Sequence, residues 1–236
     1  MMANGEQRSG RATMNDLPEL SGPSLPPAED AKPEQLVILL HGVGADGNDL
    51  IGLAPHFQQV LPGALFVSPN APFPFDMMPM GYQWFGIQDF SLAARLAGAQ
   101  RAAPILDAFI DAQLARHGLG EEQMALVGFS QGAMMALYVG LRRARPARAI
   151  ISYSGMIVGH EQLAREIRSR PPVLLTHGTA DTVLPFACLA DAEQALRTLG
   201  LDIQVHQRPG LGHGIDDACI RLGQLFLADA FGVPVP

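Results

Sequence analysis

Met124-Ala125-Leu126-Val127-Gly128-Phe129-Ser130-Gln131-Gly132-Ala133 is the stretch on which the fold class turns. Four apolar residues run into a Gly-x-Ser-x-Gly pattern, and the chain then stays apolar to Leu141. A short continuous apolar run reads as a buried parallel strand, and Ala133 to Leu141 as a buried helix. Gly-x-Ser-x-Gly between a strand and a helix is the nucleophile elbow, a sharp turn that lifts a serine hydroxyl clear of the sheet. Five residues of that kind also recur by chance, so the reading depends on what flanks them.

Outward from the elbow, the chain alternates. Leu36-Val37-Ile38-Leu39-Leu40 and Ala64-Leu65-Phe66-Val67 precede it as apolar runs; Ala149-Ile150-Ile151 and Val173-Leu174-Leu175 follow. Ile203-Gln204-Val205-His206 alternates instead, as a strand near a sheet edge does. Between these runs lie helical patterns over Ala99–Ala115, Phe186–Leu199 and Ala218–Ala230. The first carries Ala102, Ile105, Leu106, Phe109 and Ile110 on one face and has Pro104 inside it, so that helix is expected to start or kink there. Strand–helix alternation of this kind implies an α/β fold with a mostly parallel central sheet and helices on both faces. Ser68 to Phe90 is the longest irregular stretch, where function tends to reside. Residues 1 to about 33 are rich in Pro, Gly, Ser and charge, and are read as a tail that becomes ordered before Pro33. The division expected is a mobile tail over 1–16 and a single domain over 17–236.

Composition narrows the function classes. The 236 residues carry a formal charge of −7, and no basic block offsets it, so no nucleic-acid partner is expected. Two cysteines, in no Cys-x-x-Cys pair, do not make a disulfide scaffold. No apolar run approaches the roughly 20 residues needed to span a membrane, and the first residues lack a signal-peptide core. A cytoplasmic location is the resulting expectation.

A serine hydroxyl needs a base, and in this fold an acid and then a histidine follow the serine along the chain. His160, His177, His206 and His213 are the histidines after Ser130. His206 falls inside a strand pattern, while His160 and His177 precede the best acid. His213, in Gly210-Leu211-Gly212-His213-Gly214, lies in a loop between a strand and a helix and is the expected base. Asp181 follows the buried run Val173–Leu175 at the carboxyl end of a strand and is the expected acid, holding the imidazole tautomer. The competing reading for Asp181 is an ordinary Asx turn. Charge that develops on the substrate carbonyl requires donors, expected from the backbone N–H of Gln131 and of Val43, the latter in the His41-Gly42-Val43-Gly44 loop. His41 precedes the serine, which suits a hydrogen-bonding scaffold better than a base.

Taken with Pro69-Asn70-Ala71-Pro72, Trp84-Phe85, His177-Gly178-Thr179-Ala180-Asp181 and Gly212-His213, these segments give the chain a resemblance to the phospholipase/carboxylesterase family of α/β-hydrolases, which includes acyl-protein thioesterases and small bacterial carboxylesterases. The resemblance runs from about residue 36 to the C-terminus. It implies a triad of Ser130, Asp181 and His213, oxyanion donors at Val43 and Gln131, and hydrolysis of carboxylic esters or thioesters with no metal or organic cofactor. The implied partner is a small-molecule or lipid-like ester, and a homodimer stays open. Trp84 and Phe85 belong to the family motif. With Met80 and Leu184, and with Met77, Met78 and Met156 beside them, they are candidates for an acyl groove, against the plainer reading that they pack beneath the long loop. Three alternatives stay open: an acyl-protein thioesterase or lysophospholipase, an amidase using the same triad, and a silent domain that binds a lipid or a partner.

Overall fold

Five mainly apolar runs and the alternating run Ile203–Arg208 assemble side by side as the parallel strands of one sheet. The computed structural model describes residues 17–29 and 31–234; the expected tail over 1–16 lies outside the described residues. In chain order the elements are β1 (Ser24–Leu25), β2 (Gln35–Leu40), α1 (Gly47–Leu50), α2 (Ala54–Gln58), β3 (Ala64–Val67), β4 (Phe73–Pro74) and β5 (Tyr82–Gln83). Then come α3 (Leu92–His117), β6 (Met124–Phe129), α4 (Gln131–Gly140), β7 (Ala149–Tyr153), α5 (His160–Glu166), β8 (Val173–Gly178), α6 (Ala187–Thr198), β9 (Ile203–Arg208) and α7 (Asp217–Phe231).

The main sheet has the strand order β1-β3-β2-β6-β7-β8-β9. Every neighbouring pair is parallel except β1 with β3. Successive side chains of a strand point to opposite faces, so one apolar run supplies two cores. Leu36, Ile38 and Leu40 of β2 enter a core shared with α3, α4 and α6. Val37 and Leu39 enter the other, against Leu50, Phe57 and Leu227 of α1, α2 and α7. All five are fully buried, each stabilising the fold by about 1.5–3 kcal/mol.

Two expectations are corrected. The helix read over Ala99–Ala115 spans Leu92–His117 and runs through Pro104. Its start is set by Ser91, whose Oγ accepts from the Ala94 N–H, not by the proline. Ala102, Ile105, Leu106 and Ile110 are buried on its inner face, whereas Phe109 is half-buried. The stretch Ser68 to Phe90 is not wholly irregular, because β4 and β5 pair antiparallel within it. That hairpin is tied to the loop after β2: Gly44 N–H donates to Tyr82 O and Tyr82 N–H to Ala45 O, both at 2.8 Å. The parallel strands β2, β6 and β8 all end at one edge of the sheet, where this loop, the elbow and the Asp181 turn gather.

Candidate active site

Ser130 stands between β6 and α4 with φ 54° and ψ −117°, a left-handed conformation that costs a non-glycine residue about 1–3 kcal/mol. The surroundings hold it there. Its N–H donates to Tyr153 O at 3.0 Å, and the glycines two residues away on either side occupy positions with no room for a side chain. A Cβ on Gly132 would run into the carbonyl oxygens of Leu40 and His41, and one on Gly128 into the Gly132–Ala133 peptide. The two glycines let the elbow sit directly against the end of β2.

Three side chains meet at this point. His213 Nε2 is 2.9 Å from Ser130 Oγ, and His213 Nδ1 is 2.7 Å from Asp181 Oδ2. An ionised carboxylate only accepts, so Nδ1 carries the proton and donates it to Asp181, and Nε2 is left bare to accept from the serine hydroxyl. The Asp181 side chain is wholly buried. Burial opposes its ionisation, yet the hydrogen bonds from His213 and from the Leu184 and Val183 N–H groups outweigh burial and hold the carboxyl below its usual range. The Phe129 ring lies 4.9 Å from the imidazole and limits its rotation.

Sequence reasoning set His177 aside, but the structure puts it under the acid. Its Nε2 is 3.0 Å from Leu184 O and 3.2 Å from Asp181 Oδ2, two acceptors, so this nitrogen carries a proton. Its position four residues before Asp181, at the end of a buried strand, is the signal that pointed there. The His213 loop is anchored at its ends by another pair that the sequence did not reveal. Arg208 closes β9, Asp216 caps α7, and they meet at 2.9 Å. That ion pair spans the loop carrying His213.

Val43 and the N-terminus of α4 flank the serine. Among the described residues, neither the Val43 nor the Gln131 N–H has a protein acceptor. His41, fully buried, bears on the first of these. Its Nδ1 donates to Gly42 O at 2.7 Å, and its Nε2 accepts from Ala71 N–H at 2.9 Å. Gly42 C=O and Val43 N–H belong to one planar trans peptide, so fixing the carbonyl fixes the direction of the N–H. Burial is the main cause holding the His41 pKa below its ordinary value, partly offset by the Gly42 carbonyl. Gln131 is anchored through its side chain: Oε1 accepts from Trp84 N–H and Nε2 donates to Phe85 O, both at 2.7 Å.

The serine opens into a cavity of about 180 Å³ whose lining includes Val43, Phe85, Met134, Val183 and Leu184. Of the four groove candidates, Phe85 and Leu184 line it. Trp84 does not: it is fully buried, and its Nε1 donates to His41 O at 3.0 Å, so it braces the loop. Met80 is 77% exposed, out on the β4–β5 hairpin with Met77 and Met78. Met156 lines two other cavities, of about 220 and 480 Å³, neither of which includes Ser130. Among the described residues, no group of three or more His, Cys, Asp or Glu side chains is arranged as a metal site, and no helix is long and apolar enough to cross a membrane.

Comparison with known proteins follows the same lines. The family profile described as Phospholipase/Carboxylesterase matches residues 27–229. Esterase YpfH of Escherichia coli (strain K12) is 30% identical over 192 residues, covering 81% of each chain. Acyl-protein thioesterase 1 of Schizosaccharomyces pombe is 28% identical over 215 residues, 84% of this chain and 92% of the relative. Among solved structures, esterase PE8 superposes with a TM-score of 0.87 at 46% identity, covering 90% of this chain and 99% of its own.

Proposed function

The chain belongs to the phospholipase/carboxylesterase family of α/β-hydrolases and is a serine hydrolase of the carboxylesterase or thioesterase type, and we propose that it cleaves carboxylic esters of small acyl groups through a Ser130–His213–Asp181 triad. The observation that carries this reading is the continuous hydrogen-bonded line from Ser130 Oγ through the His213 ring to Asp181.

In the first half-reaction, Ser130 Oγ bonds to the substrate carbonyl carbon as His213 Nε2 takes the hydroxyl proton. The carbonyl oxygen becomes an oxyanion held by the Val43 and Gln131 N–H groups, and buried Asp181 stabilises the imidazolium. The bond to the leaving oxygen then breaks, and that oxygen leaves with the proton from Nε2. Water repeats the sequence on the acyl-enzyme and restores Ser130. No step calls for a metal or an organic cofactor.

A cavity of about 180 Å³ falls below the roughly 300–1,000 Å³ of most small-ligand sites, which favours short acyl groups. The thioesterase relative supports thioesters as a second substrate class, since the same attack serves both. The test is turnover of a short 4-nitrophenyl ester together with fluorophosphonate labelling. Ser130→Ala, with a native circular dichroism spectrum, is expected to lose both; wild-type-like turnover in that variant refutes the assignment. Rates across esters from acetyl to palmitoyl are expected to peak at short chains, and a peak at palmitoyl counts against a small-acyl substrate.

A further inference from the structure

Among the described residues, Arg143 is buried and Arg142 partly so, and both have their charge answered. Arg143 reaches Asp107, Asp111 and Glu121 at 2.5–2.9 Å, and Arg142 reaches Glu166 at 2.6 Å. Arg95 differs. It is half-buried in the first turns of α3, where the helix dipole already disfavours a cation. Among the described residues, no carboxylate comes within 4 Å of it. Its contacts are the Met156 thioether, 2.8 Å from Nη1, and the Phe90 ring, whose centre is 5.8 Å from the guanidinium carbon. A thioether is a weak acceptor, so the guanidinium fork keeps most of its five donors unspent.

Besides the neighbouring cavity of about 220 Å³ that holds Met156, Arg95 lines the cavity of Ser130. The wall is otherwise mainly apolar, with Phe85, Ile87, Met134 and Leu184, and an ion pair is screened less there than in open water. Asp89 also lines the cavity, but it is exposed and its Oδ1 accepts from the Ser91 N–H at 2.8 Å. The wall of the cavity that holds Ser130 therefore includes an arginine that, among the described residues, no carboxylate answers.

We infer that Arg95 is a specificity-determining residue that reads an anionic group, a carboxylate or a phosphate, on the ester the enzyme cleaves. Two oxygens of a carboxylate or of a tetrahedral phosphate accept two parallel hydrogen bonds from the planar fork, a geometry that no neutral acyl group offers. The inference rests on the Ser130 esterase reading and adds the charge of the substrate to it.

The experiment measures ratios, so that general damage from the substitution cancels. On the acyl side, kcat/KM is compared for monomethyl glutarate and methyl pentanoate; on the alcohol side, for the butyryl ester of glycolate and that of methyl glycolate. The wild type is expected to favour the anionic member of at least one pair. Arg95→Gln is expected to lower that ratio tenfold or more, as a charge-assisted pair in a part-buried setting implies. Arg95→Lys, which keeps the charge without the fork, is expected to fall between. If both ratios stay within about twofold of wild type, while neutral esters are still turned over by way of Ser130, the anion-reading role is overturned and the esterase reading stands. If wild-type turnover survives Ser130→Ala, both are overturned.

Discussion

Replacing His41 with phenylalanine isolates the part that backbone orientation plays in catalysis. An aromatic ring beside Trp84, 6.0 Å away between centres, is retained, somewhat larger than the imidazole, while both polar contacts are lost. Ala71 N–H loses its acceptor, and Gly42 O keeps only the Ala45 N–H at 3.3 Å. One buried donor left unsatisfied and one acceptor weakened cost about 2–4 kcal/mol. For a chain of this size that lowers Tm by roughly 5–15 °C. The larger effect is expected in turnover. With Gly42 C=O no longer pinned, the 42–43 peptide can rotate and carry the Val43 N–H away from the oxyanion. Loss of one such donor lowers kcat about 10²–10³-fold. The donor acts on charge that exists only in the transition state, so KM should change little. Steady-state kinetics on a 4-nitrophenyl ester, at a temperature where the variant is folded by circular dichroism, measure both parameters. A folded His41→Phe protein with kcat within about threefold of wild type refutes the argument that His41 sets the direction of the Val43 N–H.

Two further outcomes follow from the same geometry. Gly132→Ala places a methyl group against the carbonyls of Leu40 and His41; overpacking of about 1–3 kcal/mol is expected, with a disproportionate loss of kcat because the elbow and the Val43 loop are forced apart. Thermal melts alongside turnover test it, and activity that falls only in step with stability would count against it. Asp216 is held at a pKa of about 2, chiefly by the hydrogen bond from Arg208, with the Cys219 N–H adding to it against a smaller opposing effect of burial. Its folded value lies below the ordinary 3.8, so its stabilising effect is present above about pH 4 and is lost as pH falls towards 2. Asp216→Asn should therefore flatten the acid side of the stability curve in that window, which acid titration followed by circular dichroism reads directly; an unchanged curve contradicts it.

The sheet was legible because buried parallel strands are continuous apolar runs, and β2, β3, β6, β7 and β8 all are. The start of α3 was not, because Ala93, Ala94, Ala97 and Gly98 carry little periodic contrast and the cap at Ser91 stands outside the pattern. Two-residue strands such as β1 and β4 have no period to read. At the site, Ser130, Asp181 and His213 could be ordered from chain position alone. Trp84 misled, since an aromatic beside a long loop suits an acyl wall as well as a brace, and only its bond to His41 O separates the two. Arg95, His177 and the Arg208–Asp216 pair act through partners distant in sequence or across a turn, which no local motif encodes.

Gln131 joins two quantities that are usually adjusted apart. Its backbone sits at the proposed oxyanion, while its amide bonds Trp84 N–H and Phe85 O, on either side of the segment whose Phe85 walls the cavity. An acyl group bulky enough to displace Phe85 pulls on the first turn of α4 and misaligns the donor that its own reaction needs. Oversized substrates are then discriminated against in kcat more than in KM: they bind, and they turn over slowly. Enlarging the pocket by substitution at Phe85 leaves the Phe85 backbone and its bond to Gln131 in place, so selectivity for chain length can widen there without loosening the oxyanion.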